Sequence, residues 1–197
     1  ESYKITGDPS RPDGAPSSMV KLTCARSNFR AAGWKEEDFK KPVITIVAPY
    51  SNSMPCNNQF RDLADLIAEE VEQHGGKAHL CFTPVISDGQ TQGTKAMRYS
   101  LVSREVITDC VEVMHEGYHA DAVIALGGCD KSVPAAVMPL ARKDMIGITL
   151  FGGPAQPGVL PSSDGEKAMD PGKVMEAIGA YGQGLIDMEE LHRIECV

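Results

Sequence analysis

Apolar positions along this chain fall into short runs separated by polar turns, and the runs alternate between two periods. Val43-Ile44-Thr45-Ile46-Val47-Ala48, Ala78-His79-Leu80-Cys81-Phe82, Asp121-Ala122-Val123-Ile124-Ala125-Leu126 and Gly147-Ile148-Thr149-Leu150-Phe151 are continuous runs of strand length. Continuous rather than alternating hydrophobicity is the mark of strands covered on both faces. Between the first two runs, Phe60, Leu63, Ala64, Ile67 and Val71 repeat at helical spacing over 59–74. Asn57 or Asn58 is the expected cap and Gly75-Gly76 the stop. Between the second and third, Val102, Val106, Cys110, Val113 and Met114 trace a helical stripe, with Ser100 as the expected cap and Gly117 as the close. After the third run, Ser132 is expected to cap a helix that Pro134 opens and Pro139 kinks or shortens. Asp170-Pro171 opens a last helix over about 171–192, and 89–98 and 154–170 read as polar loops. The alternation predicts an α/β fold, a mainly parallel sheet with helices on both faces. Residues 1–20, rich in Pro, Gly and Ser, read as an extended arm, and Met19 to Phe39 as partly helical. The expected organisation is an arm and helix over 1–40 and an α/β domain over 41–197.

Three of the turns carry chemistry. The first strand leads into Asn52-Ser53-Met54-Pro55-Cys56-Asn57, the second into Ser87-Asp88-Gly89, and the third into Gly127-Gly128-Cys129-Asp130-Lys131-Ser132. In a parallel sheet all three lie at the carboxyl edge, where ligands bind. Cys56, Asp88, Cys129, Asp130 and Lys131 are therefore expected together.

Composition narrows the picture. The six cysteines include no C-x-x-C pair and no zinc-finger spacing, so a reducing compartment is expected, with Cys56 and Cys129 as functional thiols. Cys81 and Cys110 fall in apolar segments and read as buried, and Cys24 and Trp34 as anchors of the first helix. A net charge of −8 argues against a nucleic-acid backbone as main partner. No apolar run approaches the ~18 residues that a membrane helix needs. There is no G-x-S-x-G and no Walker-type loop, and the five histidines lie away from the three polar turns. Arg98, Arg104 and Glu105 could meet an anionic substrate, with a solvated helix face as the plainer role for the last two.

The motifs Met54-Pro55-Cys56-Asn57, Ser87-Asp88-Gly89 with Gly93, Met97-Arg98-Tyr99-Ser100-Leu101 with Ser103-Arg104-Glu105, and Gly128-Cys129-Asp130-Lys131 stand in the order seen in the dihydroxy-acid and sugar-acid dehydratases. The chain resembles that family from about Phe29 to about Glu195, and resembles its N-terminal α/β domain only; the family's β-rich C-terminal domain is expected to be absent from 1–197. The resemblance implies an iron–sulfur cluster, [2Fe-2S] or [4Fe-4S], on Cys56 and Cys129. The third family cysteine lies in a Gly-rich segment, and Cys196 lacks the flanking glycines. It also implies magnesium at Asp88, Asp130 and Lys131, the lysine being carboxylated. The expected activity is a hydro-lyase taking a 2,3-dihydroxy acid to a 2-keto acid, first of all in branched-chain amino-acid synthesis. Sugar-acid or phosphogluconate dehydration is the near alternative, and a non-catalytic α/β binding module the distant one. With the proton-abstracting group expected outside 1–197, this stretch alone is expected to be inactive. The full-length protein is expected to be a homodimer with no nucleic-acid or membrane partner. Its expected place is the cytoplasm, or the mitochondrial matrix or plastid in a eukaryote.

Overall fold

A computed structural model describes residues 22–154, 156–162 and 165–197; the arm expected over 1–20 lies outside them. The chain divides between Gly152 and Gly153 into two compact units. In the first, helix α1 (Thr23–Ala31) precedes β1 (Val43–Pro49), α2 (Phe60–Gln73), β2 (Lys77–Thr83), a single turn α3 (Asp88–Thr91), α4 (Arg98–Gly117), β3 (Ala122–Gly127), α5 (Ser132–Lys143) and β4 (Gly147–Phe151). The strands form a parallel sheet in the order β2-β1-β3-β4, as the continuous apolar runs predict. β1 is central and buried at six of its seven positions.

The strand order fixes where the helices go. The chain moves one way from β1 to β2, then back across β1 to β3 and on to β4. Right-handed crossovers then put α2 on one face and α4 and α5 on the other. The packing agrees. Phe60 and Ala64 of α2 are buried with Ile46, Ala48 and Leu126. On the opposite face Val111 of α4 meets Val47 and Val123, while Ile107 of α4 and Ala135 of α5 pack with Met54 and Val85. Trp34, Phe39 and Val43 close the amino end of the sheet with Phe29. Cys24, expected as an anchor beside Trp34, is exposed.

Several local expectations are corrected. Neither Asn57 nor Asn58 caps α2; the cap position is Gln59, without a side-chain bond. Ser100 lies inside α4, fully buried, because the helix already starts at Arg98. The stripe Val102, Val106 and Val113 of α4 is exposed, and the helix buries Ser100, Ser103, Ile107, Thr108, Val111 and His115 instead. Residues 89–98 are not all loop, since α3 and a 3-10 turn Lys95–Met97 fall within them. At the far edge of the sheet, Ile146, Ile148, Leu150 and Phe151 are exposed.

The second unit holds an antiparallel hairpin, β5 (Gly158–Ser162) and β6 (Gly165–Met169), where the sequence suggested only loop. It continues with α6 (Pro171–Gly182) and α7 (Met188–Glu195). The expected single helix over 171–192 is therefore two. Gly184 takes a φ of 72°, which breaks the helix, and the Asp187 carboxylate restarts it by accepting a hydrogen bond of 2.8 Å from Glu190 N–H. Asp170 caps α6 as expected.

The two helix faces make a direct test. Phe60→Ala empties a fully buried ring site and should cost about 3–5 kcal/mol. Val113→Ala, on the stripe that the sequence reading favoured, should stay within about 0.5 kcal/mol. Urea unfolding of the two variants measures both, and similar losses would contradict the assigned faces.

Candidate functional site

β1 and β3 are neighbours whose chains leave the sheet in opposite directions. The crevice between their carboxyl ends is the topological switch point of the fold, the place where open α/β sheets bind ligands. The Cys56 turn leaves β1 there, and the Cys129 turn leaves β3 there. All five residues expected at the site reach this edge.

Each turn is shaped by a residue beside its cysteine. Ser132 is fully buried, and its hydroxyl is not the cap that the sequence suggested. It turns back instead, accepting hydrogen bonds from Gly128 N–H at 3.1 Å and Cys129 N–H at 3.0 Å. It thereby folds the backbone around the thiol. On the other side Asn57, also fully buried, donates from Nδ2 to the Pro49 carbonyl at 2.7 Å. Gly128 lets the turns meet: a methyl group there would sit 2.5 Å from the Cys56 carbonyl oxygen and 2.7 Å from the Phe60 ring.

The result is a thiol pair. Cys56 and Cys129, both half-buried, pack on the same apolar cluster of Met54, Val85, Ile107 and Ala135, and Cys56 lies near enough to act on the Cys129 thiol. Burial pushes the Cys129 thiol up, and the nearby Cys56 and Asp88 push in the same direction, against a lowering hydrogen bond from the Asp130 backbone. Cys81 and Cys110, expected to be buried bystanders, are half-buried and raised chiefly by burial. Cys196 is exposed in the second unit, with its sulfur 3.7 Å from His192 Nε2.

Beside the thiols lies a charged trio. Lys131 Nζ donates to Asp88 Oδ2 at 2.8 Å and to Asp130 Oδ2. The contact to Asp130, then that to Asp88, raises Lys131 above the usual amine range. The Lys131 contact, first among its causes, holds Asp130 below the usual carboxylate range. The other Asp88 oxygen, Oδ1, is buried without a hydrogen-bond partner. Gln90 donates from Nε2 to the Ser53 carbonyl and so ties the Asp88 turn to the Cys56 turn.

The donor chemistry can be tested against the two expected groups. A close, half-buried pair of thiols fits a soft metal or a cluster iron. The carboxylates fit a hard cation, and the unpaired Asp88 Oδ1 is an oxygen open to one. With Lys131 as an ammonium, however, the lysine itself occupies the position between them. No group of three His, Cys, Asp or Glu side chains placed to hold a metal occurs among the described residues. The trio therefore fits magnesium only once Lys131 has lost its positive charge.

The remaining candidates stand apart. Arg104 and Glu105 pair with each other at 2.6 Å on an exposed face, the plainer of their two roles. Arg98 is exposed at the start of α4. His79 stacks among Phe29, Trp34 and Tyr118, and burial, then Lys77, lowers its pKa. Sequence reasoning missed the roles of Asn57 and Ser132. The available signal was position alone: one follows Cys56 directly, and the other stands three residues after Cys129.

Comparison with known proteins agrees with this geometry. Residues 41–197 match the family model described as dihydroxy-acid/6-phosphogluconate dehydratase N-terminal. The chain is 41% identical over 170 residues to the dihydroxy-acid dehydratase of Polaromonas naphthalenivorans, covering 86% of this chain and 29% of that protein. Those of Methylibium petroleiphilum and Pyrobaculum neutrophilum are also 41% identical over 170 residues, covering 86% of this chain and 30% of each relative. The chain thus spans less than a third of the length of these relatives. With a match over most of its length and the motif residues gathered at one crevice, the chain belongs to the dihydroxy-acid/6-phosphogluconate dehydratase family.

Proposed function

We propose that this protein provides the cluster- and magnesium-binding part of a hydro-lyase that converts a 2,3-dihydroxy acid to a 2-keto acid. The observation that carries the reading is the meeting of two unlike donor sets, thiols and carboxylates, at one switch-point crevice. The proposed substrate is the aliphatic dihydroxy acid of branched-chain amino-acid synthesis. Two facts support it. The relatives cited above are named dihydroxy-acid dehydratases. A cleft of about 500 Å³ beside Cys129 and Asp130 is walled by Val133, Pro134 and Phe151, and such apolar walls suit an alkyl tail better than a polyol.

The reaction removes the C3 hydroxyl and the C2 proton, and the enol so formed becomes the keto acid. Hydroxide leaves poorly at neutral pH. Cys56 and Cys129 would hold an iron–sulfur cluster, and Asp88 and Asp130 a magnesium ion, and these groups would supply the Lewis-acid chemistry that such a leaving group needs. The chain's own residues hold and orient. Ser132 and Asn57 fix the thiols, and the apolar cluster beneath them limits water. Asp88 and Asp130 present oxygens. Lys131 changes role: once its ammonium loses a proton, the free amine can add carbon dioxide and release a second proton. The carbamate is then a third oxygen donor where a cation stood.

In the full-length protein, Cys129→Ser should abolish the iron–sulfur absorption and 2-keto acid formation from an aliphatic 2,3-dihydroxy acid, while Cys110→Ser should retain both. Equal cluster content in the two variants would refute the assignment. Turnover of a sugar acid in place of the aliphatic one would move the substrate to the other branch of the family.

The charged trio predicts a pH signature in the metal-free protein. Asp130 is depressed, so its stabilisation is complete above the ordinary carboxylate value of about 4 and is lost as pH falls through the folded value. Lys131 is raised, so its stabilisation is complete below about 10.4 and is lost as pH rises through its folded value. Asp130's side chain is 65% exposed, so the effect is small. Lys131→Met should narrow its stability deficit against the parent as pH falls below about 4. Melting temperatures of both proteins between pH 2 and 7 measure this, and parallel curves would contradict it.

A further inference from the structure

Asn57 is an unusual residue to find wholly buried between two functional turns. Its backbone N–H donates to the Met54 carbonyl at 2.9 Å, and its own carbonyl accepts from Phe60 N–H at 3.2 Å. Its Nδ2 reaches the last residue of β1, the Pro49 carbonyl, at 2.7 Å. Its Oδ1 is buried with no hydrogen-bond partner. That oxygen faces the Cys129 turn, since a methyl group on Gly128 would lie 3.1 Å from it. A buried amide with one unpaired oxygen is costly where an apolar side chain of equal size is not. Stability alone therefore does not account for it.

Position does. Asn57 directly follows Cys56, ties the end of β1 to the Cys56 turn and the start of α2, and lies against Gly128. We propose that Asn57 is a positioning residue that sets the separation of Cys56 and Cys129, and through it the affinity of the pair for a soft metal. This rests on the thiol-pair reading above. Removing the tie to Pro49 frees the Cys56 turn to move away from Gly128. Adding a methyl at Gly128 pushes the same two turns apart from the other side, because it would meet the Cys56 carbonyl and the Phe60 ring. The two changes touch different turns and converge on one distance.

The experiment uses the full-length protein, stripped of metal under reducing conditions and titrated with cadmium, read by its thiolate charge-transfer absorption. Asn57→Leu keeps the branched shape, with somewhat more bulk, but cannot donate to Pro49; Gly128→Ala acts from the opposite turn; Cys129→Ser is the control. Melting curves confirm that each variant is folded at the titration temperature. Both Asn57→Leu and Gly128→Ala should bind cadmium roughly 10-fold or more weakly, the usual loss when a support behind a ligand is removed. A role confined to stability would lower the melting temperature and leave the affinity of the folded protein unchanged. Parent-like affinity in either folded variant overturns the inference. If Cys129→Ser binds as well as the parent, the thiol pair itself is misread, and the inference falls with it.

Discussion

The closeness of two turns governs this structure. Gly128 passes so near the Cys56 carbonyl and the Phe60 ring that no larger residue fits there without displacement. Gly152 adds to the same constraint, since a methyl on it would lie 2.3 Å from the Phe60 ring. Phe60 thus serves twice. It is the first residue of α2 and a core residue under the sheet, and its edge is the surface on which the turns after β1 and β3 and the end of β4 converge. Core packing and site geometry are one problem here. A site mounted in this way inherits the rigidity of a close-packed interior, which suits ligands that must hold a fixed separation.

Electrostatics at the crevice follows a different logic. The thiols are half-buried on apolar side chains, and at Cys129 that burial opposes negative charge. The carboxylates next to them are relieved by one ammonium. The metal-free site therefore sets one cation, Lys131, against two carboxylates, Asp88 and Asp130. Thiols that give up protons on metal binding would add negative charge within reach of Asp88, which already acts on Cys129. Loading one donor set thus bears on the other.

Much of the fold was legible because buried parallel strands print as continuous apolar runs, and polar turns after them mark the carboxyl edge. That Cys56, Asp88, Cys129, Asp130 and Lys131 would gather at this edge was legible for the same reason. The inward face of α4 was not. It is built partly from small hydroxyl residues that satisfy themselves on their own helix: Ser103 donates to the Ser100 carbonyl at 2.6 Å and Thr108 to the Arg104 carbonyl at 2.9 Å. Hydropathy scores such residues as polar, so the periodicity pointed to the exposed valines instead. The hairpin over 158–169 was missed because its strands are short and mostly exposed and carry Pro161, which counts against a strand in any sequence reading. Asn57 could be named as a possible cap but not as a tie to Pro49, since that bond depends on how β1 ends.

The outer strand β4 has a consequence for handling and for biogenesis. Its residues Ile148, Leu150 and Phe151, with Ile146 just before, form an exposed apolar strand whose outer backbone edge has no neighbour in the sheet among the described residues. Such an edge is a template for any other extended chain. Its free energy of unfolding therefore does not by itself fix the lifetime of this sheet in dilute solution. Self-association at that edge competes with the folded monomer and grows with concentration. Production at low concentration, or alongside whatever covers the edge, should preserve it longer than any stabilising change in the core.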